Sequence, residues 1–333
     1  MTKHIIARYS PYGREPILRR MKDGTLVCLA LTGGKFEPEN VNYVTITRSR
    51  DNGETWSEPQ PLFTHPSRGC WSTELFCGET MTFAAVHTYN SPCWYRELQT
   101  FRSFCDDSGE NWTAPESIPG ALNGCSVRQG ITLSNGDILF PVYWQEVRSG
   151  GFEHDDKKYM PYDGKLYPFV CGAGISSDGG KTFSRHGYLS ADVALWEPNA
   201  VELEPGHVIM YCRSCKGFLY TSESFDYGRT WTEAQLSEIR NPDTKVTVTK
   251  VGDTVLMVNN FTEDPGWEKR TCLGIAKSRD GKHFEKILDV EDPGERWFYP
   301  HAYVDNEQKI FYLAYENSGE HRLQKYSFEE LGL

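Results

Sequence analysis

The chain has 333 residues, 38% hydrophobic and 13% aromatic, with a formal charge of −11 at pH 7. That acidity argues against a nucleic-acid partner, whose affinity rests on Lys and Arg neutralising phosphates. No run of about 18 apolar residues is available to span a membrane, and Met1 to Arg8 lacks the apolar core of an export signal, so the expected location is cytoplasmic.

In chain order, the first predicted element is the short strand His4-Ile5-Ile6-Ala7-Arg8. A composite pattern then recurs six times: a polar or Pro-bearing opener, an alternating run, a turn and a β-rich run. The openers are Arg14-Glu15-Pro16, Cys70-Trp71-Ser72-Thr73-Glu74, Val127-Arg128-Gln129, Trp196-Glu197-Pro198-Asn199, Asn241-Pro242-Asp243 and Phe298-Tyr299-Pro300-His301. Five are followed by a turn of the form Ser-x-Asp-x-Gly-x-Thr-Trp. The best copies are Ser49 to Trp56 and Ser224 to Trp231. Ser176 to Phe183 ends in Phe, and Cys105 to Trp112 and Ser278 to Phe284 are looser. In each turn the Asp (51, 107, 178, 226 and 280) is expected to accept backbone N–H bonds. The Gly supplies a positive φ, and the aromatic residue tucks the turn onto the sheet.

Units of four short strands repeating about every 45–70 residues are the mark of β-propeller blades. The expected fold is therefore all-β: a six-bladed β-propeller of four-stranded antiparallel blades, one domain over residues 1–333. The sixth unit lacks an Asp turn, and His4–Arg8 is expected to complete its blade and so remove a bare sheet edge. Residues Glu146 to Leu166, rich in charge, Gly and Tyr, read as a loop crossing one face. The ten cysteines lack CxxC spacing and fall mostly in apolar runs, which predicts free thiols acting as small core residues. No metal-ligand spacing occurs, and neither a metal nor another cofactor is expected.

Propellers gather the starts of their innermost strands around a central channel, so chemistry belongs to the openers, and the Asp turns are structural. The openers carry Arg14, Glu15, Glu74, Arg128, Glu197, Asp243, Tyr299 and His301. Regular strand alternation would turn Glu15 to the face opposite Arg14.

This ordered set resembles the sialidase (neuraminidase) superfamily of Asp-box propellers over nearly the whole chain. Arg14-Glu15-Pro16-Ile17-Leu18 matches the family's Arg-Ile-Pro. Glu197-Pro198-Asn199-Ala200-Val201-Glu202-Leu203 followed by Arg213 matches its Glu-Pro-x-x-Val-Glu-Leu run and second arginine. Arg270-Thr271-Cys272-Leu273 matches the third arginine. Tyr299, with Leu313-Ala314-Tyr315-Glu316 behind it, matches the family tyrosine.

The resemblance implies an exo-acting retaining glycosidase that removes a terminal sialic acid or related acidic sugar from an oligosaccharide. Arg14, Arg213 and Arg270 would hold the substrate carboxylate through charge-assisted bonds. A neutral tyrosine, unlike Asp or Glu, is not repelled by that carboxylate, which makes Tyr299 the implied nucleophile and Glu197 its base. The family's acid/base Asp is missing from the loop Leu31 to Asn40, where Glu37 or Glu39 would take over proton transfer. Arg128 and His301 are further candidate substrate-binding residues without a family counterpart. Two other readings fit the same residues: a propeller glycosidase or lyase acting on a uronic or other nonulosonic acid, and a non-catalytic carbohydrate-binding propeller. Oligomeric state is not legible.

Overall fold

The structure is a computed structural model that describes residues 3–91, 98–145, 169–262 and 266–333, with the backbone alone at Trp267. The predicted loop from Glu146 to Leu166 and one cysteine, Cys93, lie outside the described residues. Six antiparallel sheets in a propeller arrangement account for the fold. Among the described residues, no helix is long and apolar enough to cross a membrane.

The chain divides into two compact units, residues 1–118 with 299–333 and residues 119–298. The first unit holds three sheets. Gly13–Arg20, Leu26–Thr32, Tyr43–Ser49 and Gln60–Phe63 form one, and Gly69–Cys77, Thr82–Tyr89, Gln99–Phe104 and Glu116–Ser117 the next. The last sheet of the chain pairs Phe298–Asp305, Ile310–Glu316 and Glu320–Ser327 with the N-terminal strand His4–Arg8, in register His4 to Leu323. Both ends of the sequence thus build this sheet, as the unpaired first strand predicts.

The second unit holds the other three sheets. In the first, the pieces Ser126–Val127 and Ile131–Thr132 both pair with Ile138–Gln145, ahead of Phe169–Ser176 and Ser184–Leu189. Next come Trp196–Glu204, His207–Arg213, Phe218–Ser224 and Gln235–Arg240. The third sheet is Thr247–Val251, Thr254–Asn260, Leu273–Ser278 and Glu285–Asp289.

Burial explains the composition of each strand. The second strands are covered on both faces and read as near-continuous apolar runs: Leu26–Thr32, Thr82–Tyr89 and Thr254–Asn260 are buried throughout. Fourth strands such as Gln235–Arg240 and Glu285–Asp289 are largely exposed and mostly polar, which blunts an open edge. Between neighbouring sheets, apolar side chains interlock: Ile17, Leu29 and Ile46 against Leu75 and Val86 in the first unit, and Val201 and Ile209 against Val248 and Val255 in the second.

The Asp turns join third to fourth strands. In the turn at Asp51, Oδ1 accepts the Thr55 N–H at 2.9 Å and Oδ2 the Thr55 hydroxyl at 2.5 Å, while Ser49 Oγ takes the Gly53 N–H at 2.8 Å. Asp178 and Asp226 repeat these bonds. The second turn departs from the expectation that Asp107 fills this role, because Asp106 accepts from Ser108 and Glu110 N–H instead. Cys105 stands where the other copies have a Ser hydroxyl to hold the Gly N–H, and the turn closes one residue earlier.

Candidate functional site

Four openers share a backbone device that their side chains do not reveal. Glu15, Glu197, Asp243 and Tyr299 have φ of +56°, +42°, +56° and +53°, in the left-handed region that non-glycine residues seldom occupy. The strand pairing slips at the same places, between Arg14 and Ile17 and between Trp196 and Asn199. At these two openers the strand is therefore bulged. Glu15 is buried and its Oε2 accepts the Trp71 indole N–H at 2.6 Å, a partner in a different sheet from those of Arg14.

Most candidate residues fall into two clusters, one in each compact unit. In the first unit, Arg14 Nε lies 3.0 Å from Glu316 Oε1, and its guanidinium sits 4.4 Å over the Tyr299 ring. Arg14 Nη1 donates to the Tyr12 hydroxyl at 3.3 Å, and that hydroxyl donates to Glu37 Oε2 at 3.4 Å. Burial opposes the Arg14 charge, yet Tyr12, Glu316, Tyr299 and Glu37 raise its pKa well above the ordinary guanidinium value. Burial likewise pushes the Tyr12 phenol far up.

Glu37 therefore belongs to the Arg14 cluster, whereas Glu39 does other work: its Oε2 accepts the Lys35 N–H at 2.6 Å. The same loop is pinned by Asn42, which accepts the Glu39 N–H at 2.7 Å and the Tyr89 hydroxyl at 2.6 Å.

His301 lies elsewhere in this unit, fully buried. Its Nδ1 accepts the Leu18 N–H at 3.2 Å, which puts the hydrogen of a neutral ring on Nε2. Arg19 Nη1 approaches both ring nitrogens at 3.3 Å, and Arg19 Nη2 donates to Glu74 Oε1 at 2.7 Å. Glu74 and His301 thus sit in one buried network with Arg19.

In the second unit, Arg213 is held between two carboxylates. Its Nη1 donates to Glu197 Oε2 and its Nε to Asp243 Oδ1, both at 2.6 Å. Its guanidinium lies 4.5 Å over the Trp196 ring. Arg270 Nη2 donates to the Asp243 carbonyl at 2.7 Å, and all five residues are buried. Arg128 is buried too, and its N–H donates to the Pro141 carbonyl. Its neighbour Gln129 accepts from Thr247 Oγ1 at 2.8 Å and Asn199 Nδ2 at 3.5 Å, tying two openers to the strand Thr247–Val251.

Sequence reasoning assigned no role to Tyr12, Glu316, Asp243 or Gln129. Glu316 and Asp243 stand inside runs that carry the family likeness or the opener pattern. Tyr12 has no signal beyond its place two residues before Arg14.

Residues 24–312 match the sequence model of a family described as a BNR repeat-like domain. The chain is 23% identical to a sialidase of Bacteroides fragilis (strain YCH46) over 318 residues, covering 84% of this chain and 54% of that one. It is 26% identical to a sialidase of Paraclostridium sordellii over 251 residues, covering 66% and 57%. The chain spans about half the length of these two relatives. Among solved structures, the Hadza microbial sialidase Hz136 superposes with a TM-score of 0.75 at 18% identity, over 96% of this chain and 66% of that one.

Proposed function

The chain belongs to the BNR repeat-like domain family and to the sialidase-like superfamily, and from that premise we propose that it is an exo-acting retaining glycoside hydrolase. Its substrate is a glycan ending in sialic acid or a related acidic sugar. Arg14, Arg213 and Arg270 bind the sugar carboxylate, Tyr299 is the nucleophile and Glu197 its base. Glu37 is the acid/base, preferred to Glu39 because it shares Tyr12 with Arg14 while Glu39 is engaged by its own loop.

The observation that carries this reading is the largely buried Arg14 lying over the Tyr299 ring. A fixed cation beside a phenol favours the phenolate, which an unaided tyrosine with a pKa of about 10 scarcely populates at neutral pH. In the first step the Tyr299 oxygen attacks the anomeric carbon and its proton passes to Glu197. The bond to the leaving oxygen breaks as the Glu37 carboxyl protonates that oxygen. In the second, Glu37 as carboxylate takes a proton from water, whose oxygen attacks the same carbon. The Tyr299–carbon bond breaks, and the phenol recovers its proton from Glu197.

Release of a fluorophore from an aryl sialoside tests the reading. Wild type should release it, Tyr299→Phe should lose about 1,000-fold or more in kcat, and Glu197→Gln about 100-fold or more. An unchanged rate in Tyr299→Phe, or no release by wild type from any sialoside or other acidic glycoside, would overturn it.

A further inference from the structure

We infer that Asp243 is a positioning residue that sets the spacing and orientation of Arg213 and Arg270. The inference rests on the proposed role of these arginines as ligands of the substrate carboxylate. Two different atoms of Asp243 meet the two guanidinium groups: Oδ1 takes Arg213 Nε at 2.6 Å, and the carbonyl takes Arg270 Nη2 at 2.7 Å. The side chain and carbonyl of one residue address two partners because its backbone is left-handed.

That conformation is enforced from outside. Asn241 Oδ1 accepts the Thr244 N–H at 2.9 Å, and Asn241 Nδ2 donates to the Thr244 carbonyl at 3.0 Å, closing the turn around Asp243. Asn241 Nδ2 also meets Asn259 Oδ1 at 2.9 Å, and Asn259 Nδ2 donates to the Arg240 carbonyl at 2.8 Å. Asn241, Thr244 and Asn259 are all buried. Hydrogen bonds of this kind in a water-poor interior rigidify the groups they connect.

Asp243 also completes the fixation of Arg213. With Nη1 on Glu197 and Nε on Asp243, the guanidinium plane is set by two charge-assisted bonds that a Lys could not reproduce. Without Asp243 the bond to Glu197 would remain, and the guanidinium could swing about it. Recognition of a planar carboxylate depends on that plane, so the loss should appear in binding.

Three substitutions separate the two contacts. Asp243→Gly removes the bond to Arg213, keeps the carbonyl and suits a positive φ. Asp243→Ala removes the same bond and strains the turn, so the carbonyl contact with Arg270 is also disturbed. Asp243→Asn keeps an acceptor oxygen and tolerates the left-handed region.

With an aryl sialoside, Asp243→Gly should raise KM about 10- to 30-fold and leave kcat within about 3-fold, as expected for loss of one charge-assisted bond. Asp243→Ala should be worse in KM, and Asp243→Asn should return KM to within about 3-fold of wild type. N-acetylneuraminate binding, followed by ligand NMR, should weaken in Asp243→Gly, while its methyl ester, which lacks the anionic carboxylate, should bind both proteins alike. Wild-type KM in Asp243→Gly, equal losses for acid and ester, or an Asp243→Asn as poor as Asp243→Ala would each overturn the inference. If Arg213→Ala abolishes binding of the acid while Asp243→Gly does not alter it, this inference fails alone. A wild type that neither cleaves aryl sialosides nor binds N-acetylneuraminate takes both readings down.

Discussion

The Asp turns and the openers solve opposite problems with the same kinds of residue. In the turns, a carboxylate is exposed and satisfied by its own loop, and bonds from the Thr55 hydroxyl and N–H hold Asp51 well below the usual carboxylate range. In the openers, carboxylates are buried and meet residues distant in sequence, as Glu15 meets Trp71, and Glu197 and Asp243 meet Arg213. A local solution demands the same residues each time, so the turns repeat visibly. The openers repeat a backbone conformation and leave the side chain free to differ: Glu15, Glu197, Asp243, Tyr299. Repetition of sequence marks the scaffold here, and repetition of geometry with varied chemistry marks the site.

Glu37 and Glu39 provide the largest contrast. With a poorly activated alkyl leaving group, Glu37→Gln should lower kcat/KM about 100- to 1,000-fold, and Glu39→Gln no more than about 3-fold. An activated aryl leaving group should narrow the Glu37→Gln deficit, since it needs less protonation. Equal deficits for the two variants would sink the assignment of Glu37.

Glu316 comes next. Its removal leaves the largely buried Arg14 guanidinium without its carboxylate, a situation that costs at most about 3–5 kcal/mol. Glu316→Ala should therefore unfold at clearly lower denaturant than wild type, and Glu316→Gln at an intermediate concentration. A midpoint unchanged in both would mean that the Arg14 charge is compensated by other groups.

How much of this was legible follows from the same contrast. The six units, the Asp turns and the pairing of His4–Arg8 with the last sheet are written in local pattern, and each is found in the structure. Asp107 occupies the motif's Asp position two residues before Gly109, yet the missing Ser hydroxyl at Cys105 leaves Asp106 to close the turn. The bulge after Arg14 was not legible, because no residue in Arg14-Glu15-Pro16 signals a positive φ. The opener residues could be nominated from sequence, but not their partners. That Arg213 meets Asp243, or that Tyr12 links Arg14 to Glu37, depends on distances between separate strands and loops.

Acid separates the regions by pH window. Burial, with the Arg14 charge adding to it, holds the buried His321 imidazole down at about 4, below its ordinary 6.5. The folded chain therefore refuses a proton that the unfolded chain accepts. Stability fully present above pH 6.5 is lost as pH falls toward 4, by about 3 kcal/mol in all. His321→Phe, which keeps an aromatic ring against Tyr9, should lose less stability than wild type across that window. Parallel losses in the two proteins would show that His321 does not set the acid response.

The smallest expected effect tests whether the Asp turns are only scaffold. Asp226 accepts the Arg229 and Thr230 N–H groups and the Thr230 hydroxyl, and these bonds outweigh its slight burial to hold it at about 2. As with His321, but in a lower window, this carboxylate contributes stability present above its unfolded pKa of 3.8 that disappears as pH falls toward 2. Asp226→Ala should lower the melting temperature by about 2–4 °C at neutral pH, in keeping with a loss of roughly 1 kcal/mol in a chain of this size. The difference should close at low pH, where wild type also loses the charge. KM and kcat should not move, because every bond of Asp226 cited above stays within residues 224–230. A change in KM at constant fold would mean that the repeated turns take part in substrate binding, and the division between scaffold and site would have to be redrawn.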